Sequence, residues 1–173
     1  MSFLKPKNMS ESLGKKAEHK IKEWLDRPDD GYSFDRIVDQ TNGFIGSSNI
    51  CDFDCYKFPY MYYIESKETE ADRFDFSMLT DTQRDGLYAK SKISGVFGLV
   101  IVLFTTYKRA FIFNIKDMVE SGLKSLNINK INKWSIPYAE IKTVPSRKMM
   151  LDYTGELDEY MLMLTESFGK IFD

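Results

Sequence analysis

Four residues whose types can do chemistry, Asp52, Asp54, Glu65 and Lys67, stand inside the stretch ICDFDCYKFPYMYYIESKET, which otherwise reads as two apolar strands joined by a Pro-containing turn. Side chains alternate across a strand, so Ile50, Asp52, Asp54 and Tyr56 are expected on one face, and Cys51, Phe53 and Cys55 on the other. On the return strand Glu65 and Lys67 share a face, with Ile64, Ser66 and Glu68 opposite. A turn centred between Phe58 and Pro59 sets Asp54 against Tyr63 and, one step further, Asp52 against Glu65. Directly opposed residues have Cβ atoms only about 4.5–5.5 Å apart, where like charges destabilise a sheet. A divalent cation removes the conflict, because Mg²⁺ favours oxygen ligands and typically binds through one or two carboxylates plus water and substrate phosphate. Lys67 would then stand beside the same site, able to orient an attacking water or to stabilise charge developing on phosphate. The plainer alternative is a solvated strand face on which Lys67 neutralises Glu65.

The elements that must position these residues follow from periodicity. Leu13, Ala17, Ile21, Trp24 and Leu25 recur at helical spacing from Ser12 to Leu25, and RPDDG ends that helix. YSFDRIVDQ reads as a strand and TNGFIGSSN as a loop; the two strands of the opening stretch come next. Thr80 to about Lys92 reads as a helix opened by a Thr-x-x-Gln capping box. GLVIVLFTT and RAFIFNI read as strands, and GELDEYMLMLTESFGKIF carries an apolar stripe at helical spacing. The pattern predicts a single α/β (α+β) domain with a central mixed sheet flanked by helices. It divides into a flexible tail over 1–11, a core over 12–115 and a C-terminal helical extension over 116–173.

An acidic residue followed by Glu-x-Lys on the next strand of a hairpin, with a Glu-bearing helix before it, resembles the PD-(D/E)xK nuclease superfamily. Within it the chain is similar to RecU-type Holliday junction resolvases, especially phage-encoded ones. The resemblance covers about residues 12–115 and implies a restriction-endonuclease-like core. It rests on Glu18 in GKKAEHKIKEW, Asp52 in SSNICDFD, Glu65 and Lys67 in YIESKET, and Gln83 in LTDTQRDGL. These five carry over as catalytic residues, with Asp52, Glu65, the backbone carbonyl of Ser66 and Glu18, directly or through water, as the site for Mg²⁺ or Mn²⁺. The implied activity is metal-dependent endonucleolytic cleavage of four-way DNA junctions by a homodimer. Two departures stand out: Cys51 replaces the superfamily's Pro, and only QTNGFIGSSN connects strands between which the RecU type inserts a protruding stalk. The alternatives are a repair or restriction-like nuclease acting on linear or flap DNA, and a DNA- or protein-binding module that has kept the fold without the chemistry.

Individual residues keep competing readings. Glu18 borders the buried stripe of its helix, yet it also stands four residues before Lys22 and could simply pair with it. Gln83 either joins the site or reaches back to the Thr80 cap. A single histidine, His19, excludes two-His zinc sites and leaves a Ser-His-Asp hydrolase with one badly placed candidate. Lys15, Lys16, Ser47, Ser48 and Arg84 are the candidate DNA contacts, through charge, hydroxyl and backbone N–H groups.

The 173 residues, 43% hydrophobic and 29% charged, supply enough apolar material for one core. A formal charge of −2 rules out a uniformly basic coat without excluding a local positive surface. Cys51 and Cys55 are expected as reduced core residues. VFGLVIVLF falls short of the roughly 20 residues of a membrane span. MSFLKPKNMS lacks the apolar stretch of about 7–15 residues of a signal peptide, so a cytoplasmic protein is expected.

Overall fold

A computed structural model describes residues 13–26, 33–37, 49–144 and 150–151. Helix α1 (Leu13–Leu25) forms where the apolar spacing predicts it and buries Ala17, Ile21, Trp24 and Leu25. The strands β1 (Ser33–Arg36), β2 (Phe53–Lys57) and β3 (Tyr60–Thr69) follow. Next come β4 (Arg73–Asp75), a single 3₁₀ turn and helix α2 (Asp81–Lys90). Strands β5 (Val96–Phe104) and β6 (Arg109–Asn114) lead into α3 (Ile115–Glu120), β7 (Ser125–Asn127), β8 (Tyr138–Ile141), β9 (Thr143–Val144) and β10 (Met150–Leu151).

The main sheet has six strands in the order β1-β2-β3-β5-β6-β8, antiparallel throughout except for the parallel pair β3 and β5. Parallel neighbours need a crossover, and the segment from β4 to α2 provides it. Both faces are covered. On one, α1 packs over Phe53, Cys55, Tyr62, Ile64, Leu99 and Ile101; on the other, Leu87 of α2 and Ile115 and Met118 of α3 pack over Val100, Val102, Phe111 and Phe113. Coverage on both sides is why β5 is apolar along its whole length instead of alternating. At Gly98 an added Cβ would lie 2.7 Å from Ile115 Cγ2 and 2.8 Å from the Leu87 carbonyl oxygen, so only glycine lets the helices sit this close to β5.

Two expectations are corrected. The described residues between 116 and 151 do not form a helical extension. Their β8 pairs with β6 in the main sheet and β7 pairs with β4, so the core runs past residue 115. These elements are a few residues long, too short for periodicity to reveal them. The other correction concerns register. The β2–β3 ladder runs as anticipated from Lys57↔Tyr60 through Asp54↔Tyr63 to Phe53↔Ile64, and there it stops. The Asp52 N–H donates to the Ile64 carbonyl at 3.0 Å, one residue out of step. Cys51 therefore joins the core on the α2 face, away from Phe53 and Cys55, and Asp52 is not set squarely against Glu65. The chain is held there because Ile50 packs on Gly86 of α2, where a Cβ would come within 2.4 Å of the Ile50 side chain.

Both cysteines are buried free thiols, pushed up to about 12 chiefly by burial. No helix among the described residues is long and apolar enough to cross a membrane. The 1–11 tail and the 155–172 stripe lie outside the described residues, as does most of the segment joining β1 to β2.

Candidate active site

The site is built on the middle of β3, whose polar residues Glu65, Ser66 and Lys67 pair with Val100, Ile101 and Val102 of β5. Glu65 is 2% exposed. Its Oε1 accepts from Gln83 Nε2 at 2.6 Å and meets Lys67 Nζ at 2.8 Å. Its Oε2 is buried with no hydrogen-bond partner among the described residues. Gln83 resolves the choice between cap and site by serving both. Its Oε1 accepts the Thr80 N–H at 3.0 Å and Lys67 Nζ at 3.1 Å, while its amide nitrogen holds Glu65. The capping box thus locks the first turn of α2 and aims Gln83 at β3 in one arrangement.

Asp52 reaches the site from the end of β2. Its Oδ2 accepts the Ser66 N–H at 2.8 Å and also the Ser66 hydroxyl. Ser66, anticipated for its carbonyl, therefore engages the site through its two donors. Glu18 comes from α1, and its charge is felt by both Asp52 and Glu65. It pairs not with Lys22 but with Arg36 of β1, whose Nε lies 3.0 Å from Oε2 and whose terminal nitrogen also contacts it. Arg36 is the residue that sequence reasoning left out of the site: nothing in the spacing shows that the end of β1 lies beside α1.

Burial is the largest influence on the carboxylates. It pushes Glu65 up to about 8, with the charge of Asp52 adding to the rise and Lys67 opposing it. Burial also raises Asp52, against the two Ser66 hydrogen bonds. Two acids near one another in a dry setting each make the other's ionisation harder.

No group of three or more His, Cys, Asp or Glu side chains among the described residues is placed to hold an ion. What the site offers is a neighbouring pair of carboxylates, Asp52 and the buried Glu65, with one Glu65 oxygen lacking a hydrogen-bond partner among the described residues. This fits Mg²⁺, which needs only one or two protein carboxylates and fills its remaining positions with water and phosphate oxygens.

The other candidates lie elsewhere. Lys16 of α1 is exposed and, with Lys20, sits near Glu68 at the far end of β3. Arg84 is engaged by Asp81 at 3.0 Å and Asp85 at 2.9 Å, and it borders a hollow with Phe76, Leu79, Ile115 and Lys124 instead of facing Glu65. Ser47, Ser48 and the Lys15 side chain are outside the described residues. His19 is a solvated helix residue paired with Glu23 at 3.2 Å.

Comparison with known proteins adds the following. The family described as RecU, recombination protein U, matches residues 32–161. Among solved structures, the chain is similar to Archaeoglobus fulgidus Hjc, described as a Holliday junction resolvase from an archaeal hyperthermophile. That match has 14% identity and a TM-score of 0.42, covering 68% of this chain and 87% of the other. No curated protein matches.

Proposed function

We propose, on the premise that the chain belongs to the RecU family of recombination proteins, that it is a Holliday junction resolvase, a nuclease that hydrolyses phosphodiester bonds in branched DNA with the help of Mg²⁺ or Mn²⁺. The observation that carries the reading is the buried Glu65 Oε2, without a hydrogen-bond partner among the described residues, beside a lysine and a glutamine that hold the other oxygen. A buried carboxylate oxygen with no partner is costly unless a ligand completes it.

In this reading Asp52 and Glu65 would hold the cation, with Glu18 of α1 close enough for its charge to bear on both. A cation held there supplies Lewis-acid polarisation of a phosphoryl oxygen and a bound water of lowered pKa. Ser66 fixes the Asp52 carboxylate, so that one oxygen is committed and the other remains for the cation. Lys67 is held by Glu65 and Gln83 at the same point, where its ammonium balances the extra negative charge that phosphate gains as water attacks. The apolar walls formed by Val100 and Val102 keep the dielectric low, which strengthens each of these interactions. Cutting two strands symmetrically calls for two copies about a two-fold axis, and we propose a homodimer on that ground.

The test compares four-way junction, flap and linear duplex of equal sequence, with Mg²⁺ or with EDTA. Preferential junction cutting that EDTA stops is expected. Asp52→Asn and Glu65→Gln should each slow cleavage by at least about 10²–10³-fold while junction binding persists. Equal rates on all three substrates would reject resolvase specificity, and wild-type-like cutting by either variant would reject the site.

A further inference from the structure

The β2–β3 hairpin carries its catalytic candidates near one end and a different feature at the other. At the turn, Phe58 is 81% exposed, and Tyr56 at 46% and Ile93 at 54% are the next large apolar side chains left open at that end of the sheet. The loop after α2 lies against the turn. The Met61 N–H donates to the Gly95 carbonyl at 2.9 Å, and a Cβ on Gly95 would stand 3.4 Å from the Pro59 carbonyl oxygen. Lys57 precedes Phe58 in the chain at the end of β2, Lys90 ends α2, and Lys92 belongs to the loop that follows it. Lys90 Nζ lies 5.1 Å from the centre of the Tyr63 ring and Lys92 Nζ lies 4.2 Å from that of Tyr88.

Single exposed apolar residues are ordinary, but an aromatic ring open on nearly all sides, at a two-strand turn with Lys57 next to it in the chain, is a stacking platform in kind. The lysines select the partner: phosphate is attracted to them, and every nucleobase has a face that can stack on phenylalanine or tyrosine. Stacking inside a continuous duplex hides those faces, whereas a branch point interrupts the stack.

We propose that the β2–β3 turn, with Phe58 at its tip and Tyr56 behind it, is a wedge that stacks on the face of a nucleobase exposed where the arms meet at a DNA branch point. The inference rests on the branched-DNA reading of the site and adds to it the element that senses the branch. Glu65 lies five residues beyond Tyr60, about 17 Å along the strand.

The experiment places 2-aminopurine at the branch of a four-way junction, or out in one arm, and measures fluorescence and affinity in EDTA. Cleavage in Mg²⁺ is measured separately. Wild-type protein should alter the branch signal and leave the arm signal unchanged. Phe58→Ala, a change at a solvent-exposed ring, should lose the branch signal and bind the junction about tenfold more weakly, as expected for one lost base stack. Phe58→Trp should restore both. Unchanged signal and affinity in Phe58→Ala would overturn the wedge. So would conversion of a dimer to monomers by that variant in sedimentation, which would make the turn a self-association surface. If wild type perturbs the branch base but cuts nothing in Mg²⁺, the nuclease reading falls and the wedge stands. If it cuts the junction without perturbing the base, the reverse holds.

Discussion

Strands β3 and β5 are parallel neighbours at the centre of one sheet, covered on both faces by the same helices, yet they are built from opposite materials. Every residue of β5 after Val96 is apolar or glycine and buried. Beside it, β3 places Glu65, Ser66 and Lys67 against Val100, Ile101 and Val102. Nothing in the backbone geometry of the sheet demands this difference. In β5, burial of apolar surface alone holds the strand. In β3, the polar side chains at the centre of the strand are partnered, Glu65 through one oxygen by Lys67 and Gln83 and Ser66 by Asp52, while the second Glu65 oxygen has no hydrogen-bond partner among the described residues. An interior that accepts such residues on one strand and none on the next marks the polar strand as the one kept for chemistry.

The most drastic way to break the comparison is to give β5 a charge without the partners β3 provides. Val100→Glu would bury a carboxylate directly beside Glu65, with no Lys67 or Gln83 of its own. Unfolding by denaturant should show a loss of about 3–5 kcal/mol, the cost typical of an uncompensated buried charge, which approaches the whole stability of a domain this size. If the variant remains as stable as wild type, the interior at β5 is wet and the contrast between the strands is not one of burial.

The converse change makes β3 resemble β5. Replacing Glu65 and Lys67 together, as Glu65→Leu with Lys67→Met, removes both members of the pair and keeps their volume. Substituting apolar residues for a buried ion pair is commonly neutral or stabilising, by about 1–4 kcal/mol. The double variant should therefore unfold at equal or higher denaturant concentration while cleaving no DNA. A marked loss of stability would show that the pair holds the fold together and is not a functional cost.

How much of this was legible in the residues follows the range of the interactions. Helix α1, the α2 capping box and strands β5 and β6 rest on local periodicity or on neighbours three and four apart, and the sequence announces them. The central sheet and the shared face of Glu65 and Lys67 follow from the same logic. The slip at Asp52 does not, because it depends on Ile50 finding Gly86, a contact between segments 36 residues apart whose only sequence trace is a glycine inside a helix. The Glu18–Arg36 pair is likewise tertiary. Gln83 was legible as two rival roles, and only the meeting of α2 with β3 makes the roles compatible.

The smallest effect separates the strands by proton uptake, which β5 lacks the groups to show. Glu65 is raised from 4.5 to about 8 by burial first and by Asp52 second, and Asp52 is itself raised in the same direction. Between those two values the folded chain binds more protons than the unfolded chain, so stability falls as pH rises. The contribution is complete below pH 4.5 and is lost progressively up to about pH 8. In EDTA, the melting temperature should decline steadily from pH 5 to 8. Glu65→Gln should flatten most of that decline, since an amide has no proton to lose. Added Mg²⁺ should also flatten it for the wild type, because a cation binds the ionised carboxylates and replaces the missing proton's charge. A wild-type decline that neither Glu65→Gln nor Mg²⁺ alters would place the titrating group elsewhere, and would detach the buried carboxylate from the cation-holding role assigned to it.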